Sequence, residues 1–232
     1  MSKVSIEHNL AVARQLLSQA ATDSGRFPEE IKLIAVSKTK PAKMINEAFL
    51  ANQTAFGENM VQEAIDKMST LKKTEKIEWH MIGHLQKNKV KFCPGNFKWI
   101  HSIDSIELAK KLEERCAFKK QNINVLIQVN LSQEKSKFGV HQLGEMLHLA
   151  EKLYSGHWLK LRGLMTIPEP DLGESSTRKI FEKLRIWRDQ LKTELRAPEI
   201  NELSMGMTSD FKWAIQEGAT MIRLGTAIFG PR

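Results

Sequence analysis

Hydrophobic and polar residues alternate along this chain with two periods, one typical of strands and one typical of helices. Short apolar runs, rich in branched side chains and ended by glycine, proline or polar residues, predict eight β-strands. The predicted strands cover residues 31–39, 55–59, 78–83, 99–104, 124–130, 159–167, 201–207 and 221–230. Apolar residues at helical spacing predict helices over 5–22, 42–51, 60–71, 86–92, 105–118, 142–154, 175–195 and 210–216.

Eight strands that alternate with helices are typical of an α/β fold whose parallel sheet closes into a (β/α)8 TIM barrel. An open doubly wound sheet is the alternative, but such sheets usually carry a glycine-rich loop after the first strand. This chain has the sequence SKTKP there, at residues 37–41. We therefore expect a single domain over residues 1–232, with an N-terminal helix and linker at 1–30 and the barrel at 31–230.

Charge and composition argue against several classes of partner. The formal net charge is +8, but the lysines are scattered and no basic run is interleaved with aromatic residues, so we expect no nucleic-acid partner. No stretch approaches the ~18 uncharged apolar residues of a membrane span, and the N-terminus lacks the apolar core of a signal peptide. We expect a cytoplasmic protein that does not bind membranes.

The histidines and cysteines predict no metal site. His80 and His84 have the i,i+4 spacing of a zinc helix, but the glutamate of the HExxH motif is missing and His80 falls in a predicted strand. Cys93 and Cys116 lack CxxC spacing, so we also expect no structural zinc and no disulfide framework. Both histidines are therefore interpreted as structural residues or as residues that line a cavity.

Lys38 ends the first predicted strand, whose alternation places it on the same face as Ile34 and Val36. An amine among aliphatic side chains is costly to keep charged, and a neutral amine forms a Schiff base with a carbonyl compound. Lys40 is predicted on the same face, where a second cation would favour the neutral form of the first amine. The alternative is an ordinary strand-end lysine that reaches solvent.

In a barrel, the loops after the seventh and eighth strands often bind phosphate. The segment from Ser204 to Asp210 ends the seventh predicted strand and opens a helix, with Gly206 for close backbone approach and hydroxyl groups after it. Gly225 and Thr226 offer the same combination after the eighth strand. Turn chemistry and a helix cap explain either segment alone, whereas two such loops facing one lysine favour a phosphate group.

A phosphate site and a Schiff-base lysine in one barrel mouth together indicate pyridoxal 5'-phosphate. Arg223 lies in the eighth predicted strand among apolar residues, where an unpaired guanidinium is costly. Arginine is one of the usual partners of the pyridine nitrogen of this cofactor and, since it keeps its proton, leaves the ring a weak electron sink. Asn59 is a candidate contact to the ring or its phosphate, with a simple turn role after Gly57 as the alternative.

Motifs spread over residues 31 to 230 resemble those of the pyridoxal phosphate homeostasis proteins (the YggS/PROSC type). They read AVSKTKP at 35–41, FGEN with VQEA at 56–64, WHMIGHLQKNK at 79–89, HSIDS at 101–105, EKSKFGV at 134–140, LRGLMTIP at 161–168, LSMGM at 203–207, SDF at 209–211 and IRLGTAIFG at 222–230. The resemblance implies an alanine racemase N-terminal-like barrel that holds pyridoxal 5'-phosphate as a Schiff base on Lys38. It also implies phosphate contacts at Ser204, Gly206, Gly225 and Thr226, with Arg223 at the pyridine nitrogen.

The same resemblance implies a role in intracellular pyridoxal phosphate (vitamin B6) homeostasis, in which the protein holds the cofactor and delivers it to apo-enzymes. Racemases related to this family need a second base, a tyrosine supplied by an additional domain. The single tyrosine here, Tyr154, falls near the end of a predicted helix, away from the barrel mouth. The missing base and the weak electron sink favour a non-enzymatic, monomeric carrier without catalytic residues. The alternative is a pyridoxal phosphate-dependent amino-acid racemase or lyase.

A polar loop after the fifth predicted strand carries Lys135 and Lys137. These lysines are candidates for sheltering the cofactor or guiding its exit. Solvated lysines on a surface loop are the alternative, and a Lys137→Ala protein that transfers cofactor unchanged would favour it.

Overall fold

The computed structural model describes residues 5–71, 74–132 and 138–231, and at its centre eight parallel strands close into a barrel in chain order. The strands are β1 (Lys32–Val36), β2 (Ala55–Glu58), β3 (Glu78–Met81), β4 (Trp99–Ile103), β5 (Ile123–Gln128), β6 (Leu159–Met165), β7 (Glu202–Ser204) and β8 (Met221–Leu224). Strand β1 pairs with both β2 and β8, which closes the sheet. The prediction of a (β/α)8 TIM barrel is confirmed.

Helices connect the strands and cover the outside of the barrel. They are α1 (Ile6–Asp23), α2 (Ala42–Leu50), α3 (Val61–Thr70), α4 (Ile106–Lys119), α5 (Leu143–Tyr154), α6 (Gly173–Glu194), α7 (Phe211–Gln216) and α8 (Thr226–Phe229). Single turns of 3-10 helix lie at Pro28–Glu30, Thr74–Lys76 and Val90–Phe92. Within the described ranges, no helix combines the length and the apolar character that crossing a bilayer requires.

One predicted helix, over residues 86–92, is wrong. Only Val90–Phe92 is helical there, as a 3-10 turn. The segment is seven residues long and runs into Pro94 and Gly95, so it offers too few helical bonds to offset the cost of helix nucleation.

The predicted N-terminal helix is confirmed as α1. The Ser5 side chain caps it by accepting a hydrogen bond from the His8 amide (3.1 Å). Its buried face has the helical spacing that the sequence shows, and it consists of Ile6, Leu10, Ala13, Leu17, Ala20 and Ala21.

This helix is tied to the last elements of the barrel by side-chain hydrogen bonds. Asn9 Nδ2 donates to the carbonyl of Ile228 in α8 (2.9 Å). Just after the helix, Arg26 NH1 donates to the carbonyl of Ala219 before β8 (2.7 Å). The first and last elements of the chain therefore meet on one side of the barrel.

Every strand ends earlier than the sequence predicts, whereas the amino ends agree with the prediction to within one residue. Strand β1 ends at Val36 instead of residue 39, and β8 ends at Leu224 instead of residue 230. The last of these predicted strand segments instead contains α8, whose Ile228 and Phe229 are buried. Apolar residues thus continue past the last ladder bond, which is why hydrophobicity alone does not mark the strand end.

The barrel interior holds an apolar layer and a polar one. The apolar layer consists of Ile34, Ala55, Trp99, Leu126, Met165 and Met221. Because side chains alternate along a strand, His101 points inward two residues after Trp99, and Arg223 does so two residues after Met221. Both polar residues are buried, so the interior carries buried polar groups towards the carboxyl ends of the strands.

Candidate functional site at the barrel mouth

The seven residues predicted to bind the cofactor lie at the carboxyl ends of four neighbouring strands. Lys38 follows β1 by two residues, Asn59 follows β2 directly, and Arg223 lies within β8. The other four are Ser204, Gly206, Gly225 and Thr226, which lie at or just after the ends of β7 and β8. Since β7, β8, β1 and β2 are consecutive around the closed barrel, all seven positions belong to one arc of its mouth.

Lys38 lies in a turn after β1 and not on the strand itself. It is half-buried and lines a cavity of about 640 Å³ together with Asn59 and Phe138. The expectation that Lys38 shares a strand face with Ile34 and Val36 is wrong, because the ladder stops at Val36.

Another part of the wall of this cavity comes from the loop after β3, through Gly83 and His84. A Cβ atom at Gly83 would lie 2.3 Å from the carbonyl oxygen of Asn59, so only glycine allows the two loops to approach this closely. The His84 ring stacks on Phe138 with centroids 3.6 Å apart. Asn59 is half-buried at this junction, next to the cavity that Lys38 lines.

Lys40 does not accompany Lys38, and the prediction that it acts as a second cation on the same strand face is wrong. Its Nζ atom donates to the carbonyls of Gly230 (3.1 Å) and Pro231 (2.7 Å). The intervening Thr39 has a φ of 63°, in the left-handed region that branched residues avoid. The turn therefore redirects the chain between the two lysines.

A buried ion-pair cluster lies beneath this turn. Lys67 Nζ, on α3, donates to Glu58 Oε1 at the end of β2 (2.8 Å) and to Glu63 Oε1 one helical turn earlier (2.6 Å). Glu58 is fully buried and Lys67 is nearly so. We call Glu58, Glu63 and Lys67 the lysine clamp, because they hold the backbone around Lys38.

The lysine clamp contacts the residues on both sides of Lys38. The Ser37 carbonyl accepts from Lys67 Nζ (2.7 Å), and the Ser37 hydroxyl donates to Glu58 Oε1 (2.6 Å). The Thr39 amide donates to Glu63 Oε1 (2.5 Å). Three hydrogen bonds from the clamp thus hold Ser37 and Thr39, while the Lys38 side chain between them faces the cavity.

The electrostatics of the clamp depend on its cation. Burial raises the pKa of Glu58, and hydrogen bonds from Lys67 and Ser37 oppose that rise. Its second oxygen, Oε2, has no hydrogen-bond partner among the described residues. Sequence reasoning missed this cluster, although the i,i+4 spacing of Glu63 and Lys67 was a visible signal.

Arg223 is the second buried cation of the mouth, and it is held by neutral groups. NH1 donates to Ser204 Oγ (2.6 Å) and NH2 to the Thr166 carbonyl (2.9 Å). In the described part of the chain, no carboxylate oxygen lies within ion-pair distance of its guanidinium. Burial lowers the pKa of Arg223 to about 10, and the more distant Asp210 opposes the shift. The side chain is therefore charged at neutral pH.

The Ser204 hydroxyl continues into a line of polar side chains that crosses the barrel. Its Oγ lies 2.8 Å from His101 Nδ1, and His101 Nε2 lies 2.9 Å from His80 Nδ1. His80 Nε2 lies 2.9 Å from Glu78 Oε1, which also accepts from Lys32 Nζ (2.5 Å). We call the line from Ser204 to Lys32 the interior polar chain.

The rings of the interior polar chain are neutral at physiological pH. Burial lowers the pKa of His80, with Glu78 opposing, and it lowers the pKa of His101 further, helped by the neighbouring positive groups. Burial alone would raise the pKa of Glu78, but hydrogen bonds from His80 and Lys32 lower it to about 2. The signal in the sequence was the polar residues at inward positions of two predicted strands; His80 was interpreted only as structural or cavity-lining, and His101 was given no role.

Gly206 has a structural reason to be glycine. Its φ is 93°, and a Cβ atom there would lie 2.6 Å from the Cβ of Ala214 on α7. Its carbonyl accepts from the Arg223 amide (2.9 Å), which joins the loop after β7 to β8.

Gly225 and Thr226 lie beside this loop. Thr226 Oγ1 donates to Thr208 Oγ1 across the two loops (3.3 Å), and both hydroxyls are exposed to solvent. The first amides of α8 have no acceptor within the helix, as at any helix start. The phosphate contacts predicted for Ser204, Gly206, Gly225 and Thr226 stay predictions, and Lys135 and Lys137 lie outside the described residues.

Three kinds of comparison with known proteins agree with one another. The family model described as "Alanine racemase, N-terminal domain" matches residues 2–232. The pyridoxal phosphate homeostasis proteins of Pasteurella multocida (strain Pm70) and Escherichia coli (strain K12) are 44% and 45% identical over 230 and 229 residues. These alignments cover 99% and 98% of this chain and 98% and 97% of the two relatives. The structure of PipY from Synechococcus elongatus with PLP bound has a TM-score of 0.87 and 35% identity, covering 97% of this chain and 100% of that one.

Proposed function

This chain belongs to the family of the alanine racemase N-terminal domain and, within it, to the pyridoxal phosphate homeostasis proteins; on this basis we propose that it binds pyridoxal 5'-phosphate and serves in the homeostasis of that cofactor. When bound, the cofactor supplies an aldehyde that captures a primary amine, and it carries an anionic phosphate. We also propose that residues 1–232 form a single domain.

The observation that carries the proposal is a half-buried lysine just after β1 together with a buried guanidinium on the neighbouring strand β8, which has no carboxylate partner among the described residues. Lys38 would hold the cofactor covalently, since its backbone is fixed by the lysine clamp and its side chain faces a cavity. Arg223 would donate to the pyridine nitrogen, because a guanidinium has only donors and that nitrogen is an acceptor. Both residues therefore fit the group.

The rest of the predicted cofactor set fits the phosphate and the ring. Gly206, Gly225 and Thr226 would form the rim for the phosphate, with Ser204 in the same loop, and Asn59 would contact the cofactor beside Lys38. A close backbone approach and exposed hydroxyls suit an anion of this size.

We propose that the protein holds and delivers the cofactor and does not use it for turnover. The single tyrosine, Tyr154, is 42% exposed at the carboxyl end of α5, and helices of a barrel end at the opposite side from the mouth. A charged Arg223 would leave the pyridine nitrogen unprotonated, which weakens the ring as an electron sink. The proposed role is that of a cytoplasmic, monomeric carrier for apo-enzymes.

The test of cofactor binding is borohydride reduction of the protein after incubation with pyridoxal 5'-phosphate, followed by mass mapping of peptides. We expect the reduced cofactor on Lys38, and no fixed cofactor in a Lys38→Ala protein. Lys43→Met, which removes an exposed lysine on α2, is the matched control and should label like the unmodified protein. Labelling that persists in Lys38→Ala would refute the assignment.

The carrier role has its own test. Purified loaded protein is given a panel of amino acids, and racemisation and cleavage products are measured over hours. We expect no turnover above that of free cofactor, whereas an apo-enzyme mixed with the loaded protein should gain activity. Sustained turnover of any amino acid would favour the racemase or lyase alternative.

A further inference from the structure

The interior polar chain has a donor at one end and an acceptor at the other, which fixes the protons between them. Arg223 has only donors, so Ser204 Oγ accepts from its NH1 (2.6 Å). At the far end, Glu78 is a carboxylate that already accepts from Lys32 (2.5 Å), so it also accepts from His80 Nε2 (2.9 Å).

Between these ends, the two rings have one neutral arrangement in which every contact joins a donor to an acceptor. His80 carries its proton on Nε2, and its Nδ1 accepts from the Nε2–H of His101 (2.9 Å). His101 Nδ1 then accepts the hydroxyl proton of Ser204 (2.8 Å). The reverse arrangement would place an unprotonated His80 nitrogen against the Glu78 carboxylate, which is two acceptors 2.9 Å apart.

A charged ring would also satisfy these contacts, but the surroundings disfavour it. Both rings are fully buried, and the line of groups ends in a cation on each side, Lys32 and Arg223. Removing a charged imidazolium from water between two cations is costly, and Glu78 is the only carboxylate bonded to the described part of this line.

We propose that Glu78, His80 and His101 are positioning residues for Arg223, with both histidines held as the neutral Nε2–H tautomer. In this arrangement the proton of Ser204 is directed to His101, so Ser204 presents only lone pairs to the guanidinium. Arg223 is then held by acceptors at two nitrogen atoms, the Ser204 hydroxyl and the Thr166 carbonyl.

This arrangement has a consequence for the proposed phosphate site, and this consequence rests on the proposed function. A hydroxyl that gives its one proton to His101 cannot donate it to a phosphate oxygen. The side chain of Ser204 therefore acts through Arg223, and the phosphate is left to Gly206, Gly225 and Thr226. The tautomer of His101 decides between these two roles of Ser204.

The interior polar chain also connects the two ends of the barrel. The side chains of Lys32 and Glu78 are 37% and 30% exposed at the amino ends of β1 and β3, whereas Ser204 and Arg223 lie at the mouth. A change at Glu78 is thus expected to reach Arg223 without any contact between Glu78 and a ligand.

The first experiment determines the tautomers in the protein without cofactor. Nuclear magnetic resonance of isotopically labelled histidine distinguishes Nδ1–H, Nε2–H and doubly protonated rings, and His80→Gln and His101→Gln proteins assign the two signals. We expect both rings to be neutral Nε2–H between about pH 6 and 8, and a His148→Gln protein, altered at an exposed site, should leave both signals unchanged. A proton on His101 Nδ1, or a doubly protonated ring in this range, would overturn the proposal.

The second experiment removes the acceptor at the far end. In Glu78→Leu the nearest charged group to His80 is the donor Lys32, so we expect the line of hydrogen bonds to reverse and His101 to carry its proton on Nδ1. Glu78→Gln keeps an acceptor oxygen and should retain both tautomers, and it serves if the leucine protein does not fold. Glu47→Leu, on the exposed face of α2, is the surface control. Unchanged tautomers in a folded Glu78→Leu protein would contradict the proposed direction.

The third measurement is the affinity for pyridoxal 5'-phosphate by absorbance titration. Glu78→Leu should bind the cofactor about 3- to 10-fold more weakly, the equivalent of one altered hydrogen bond, while Glu78→Gln and Glu47→Leu should bind as the unmodified protein does. Equal affinity in all four proteins would refute the positioning role. If the unmodified protein binds no cofactor, the proposed function fails, and the tautomer measurements still decide the proton arrangement.

Discussion

Two cations are buried among the described residues at the barrel mouth, Lys67 and Arg223, and their surroundings are opposite in kind. The Lys67 side chain, 9% exposed, bonds to two carboxylates and a backbone carbonyl. The side chain of Arg223, a residue 3% exposed, bonds to a hydroxyl and a carbonyl and to no other group in the part of the chain that the structure describes. A charge that is neutralised inside the protein stabilises the fold, whereas a buried charge without a counterion is available to a group that comes from outside.

The two supports also act on different parts of the functional residues. The lysine clamp fixes the backbone at Ser37 and Thr39 and leaves the Lys38 side chain facing the cavity. The interior polar chain fixes the side chain of Arg223 near its end. In the proposed function, Lys38 forms and breaks a covalent bond and needs room to move, whereas Arg223 recognises a ring nitrogen and needs a fixed position.

The largest expected effect tests the structural half of this comparison. In Lys67→Met the buried Glu58 loses its cation, so we expect the free energy of unfolding to fall by about 3–5 kcal/mol, measured by urea unfolding. Lys67→Met/Glu58→Gln should recover part of this loss, because the uncompensated charge is gone. Lys43→Met is the exposed control and should change stability by less than about 0.5 kcal/mol. A loss below about 1 kcal/mol for Lys67→Met would mean that the clamp is not structural.

The next effect is a pH dependence with opposite signs in the two regions. Burial lowers the pKa of His80 and His101 in the folded state, so below about 6.5 only the unfolded chain takes up these protons, and stability falls. The expected slope is about 1.4 kcal/mol per pH unit for each ring. Burial raises the pKa of Glu58, so the folded state takes up that proton more readily, and acidification towards 4.5 is stabilising there.

Urea unfolding between about pH 5 and 8 measures this dependence. The unmodified protein should lose stability as the pH falls below 6.5, and His101→Gln should have about half the slope. His148→Gln, at an exposed site, should keep the full slope. A flat profile between pH 6.5 and 5.5 would show that the buried rings accept protons in the folded state.

The smallest effect on folding is expected at the second cation. Arg223→Met loses hydrogen bonds of about 1 kcal/mol each but also removes a desolvated charge, so stability should change by less than about 2 kcal/mol. Affinity for pyridoxal 5'-phosphate should fall by at least about 10-fold in the same protein. Arg115→Met, on the exposed face of α4, should leave both quantities unchanged. A stability loss as large as that of Lys67→Met would remove the distinction between the two cations.

The fold was predictable because two independent patterns in the sequence indicate it: the hydrophobic periodicity of the strands and that of the helices. The same periodicity correctly placed Arg223 on the eighth strand, whereas Lys38 lies two residues after the first strand; barrel closure brings these two strands together. The end of β8 was not predictable, since Ile228 and Phe229 are as apolar in α8 as they would be in a strand.

The lysine clamp and the interior polar chain could not be predicted from the sequence, for a different reason. The lysine clamp joins a strand residue, Glu58, to a helix residue, Lys67, and only the packing of α3 on β2 shows that they meet. The His80–His101 contact depends on the stagger between β3 and β4, in which His80 is paired with Trp99. Sequence patterns give the face of each residue but not the register between strands.

The pairing of β1 with β8 has a consequence for folding during translation. Synthesis starts at the N-terminus, so the strand leading to Lys38 leaves the ribosome long before the partner that carries Arg223 exists. Until residues 221–224 emerge, β1 is a bare sheet edge that other nascent chains can pair with. The proposed cofactor site is therefore completed only late in translation, at the same step that pairs the free edge of β1.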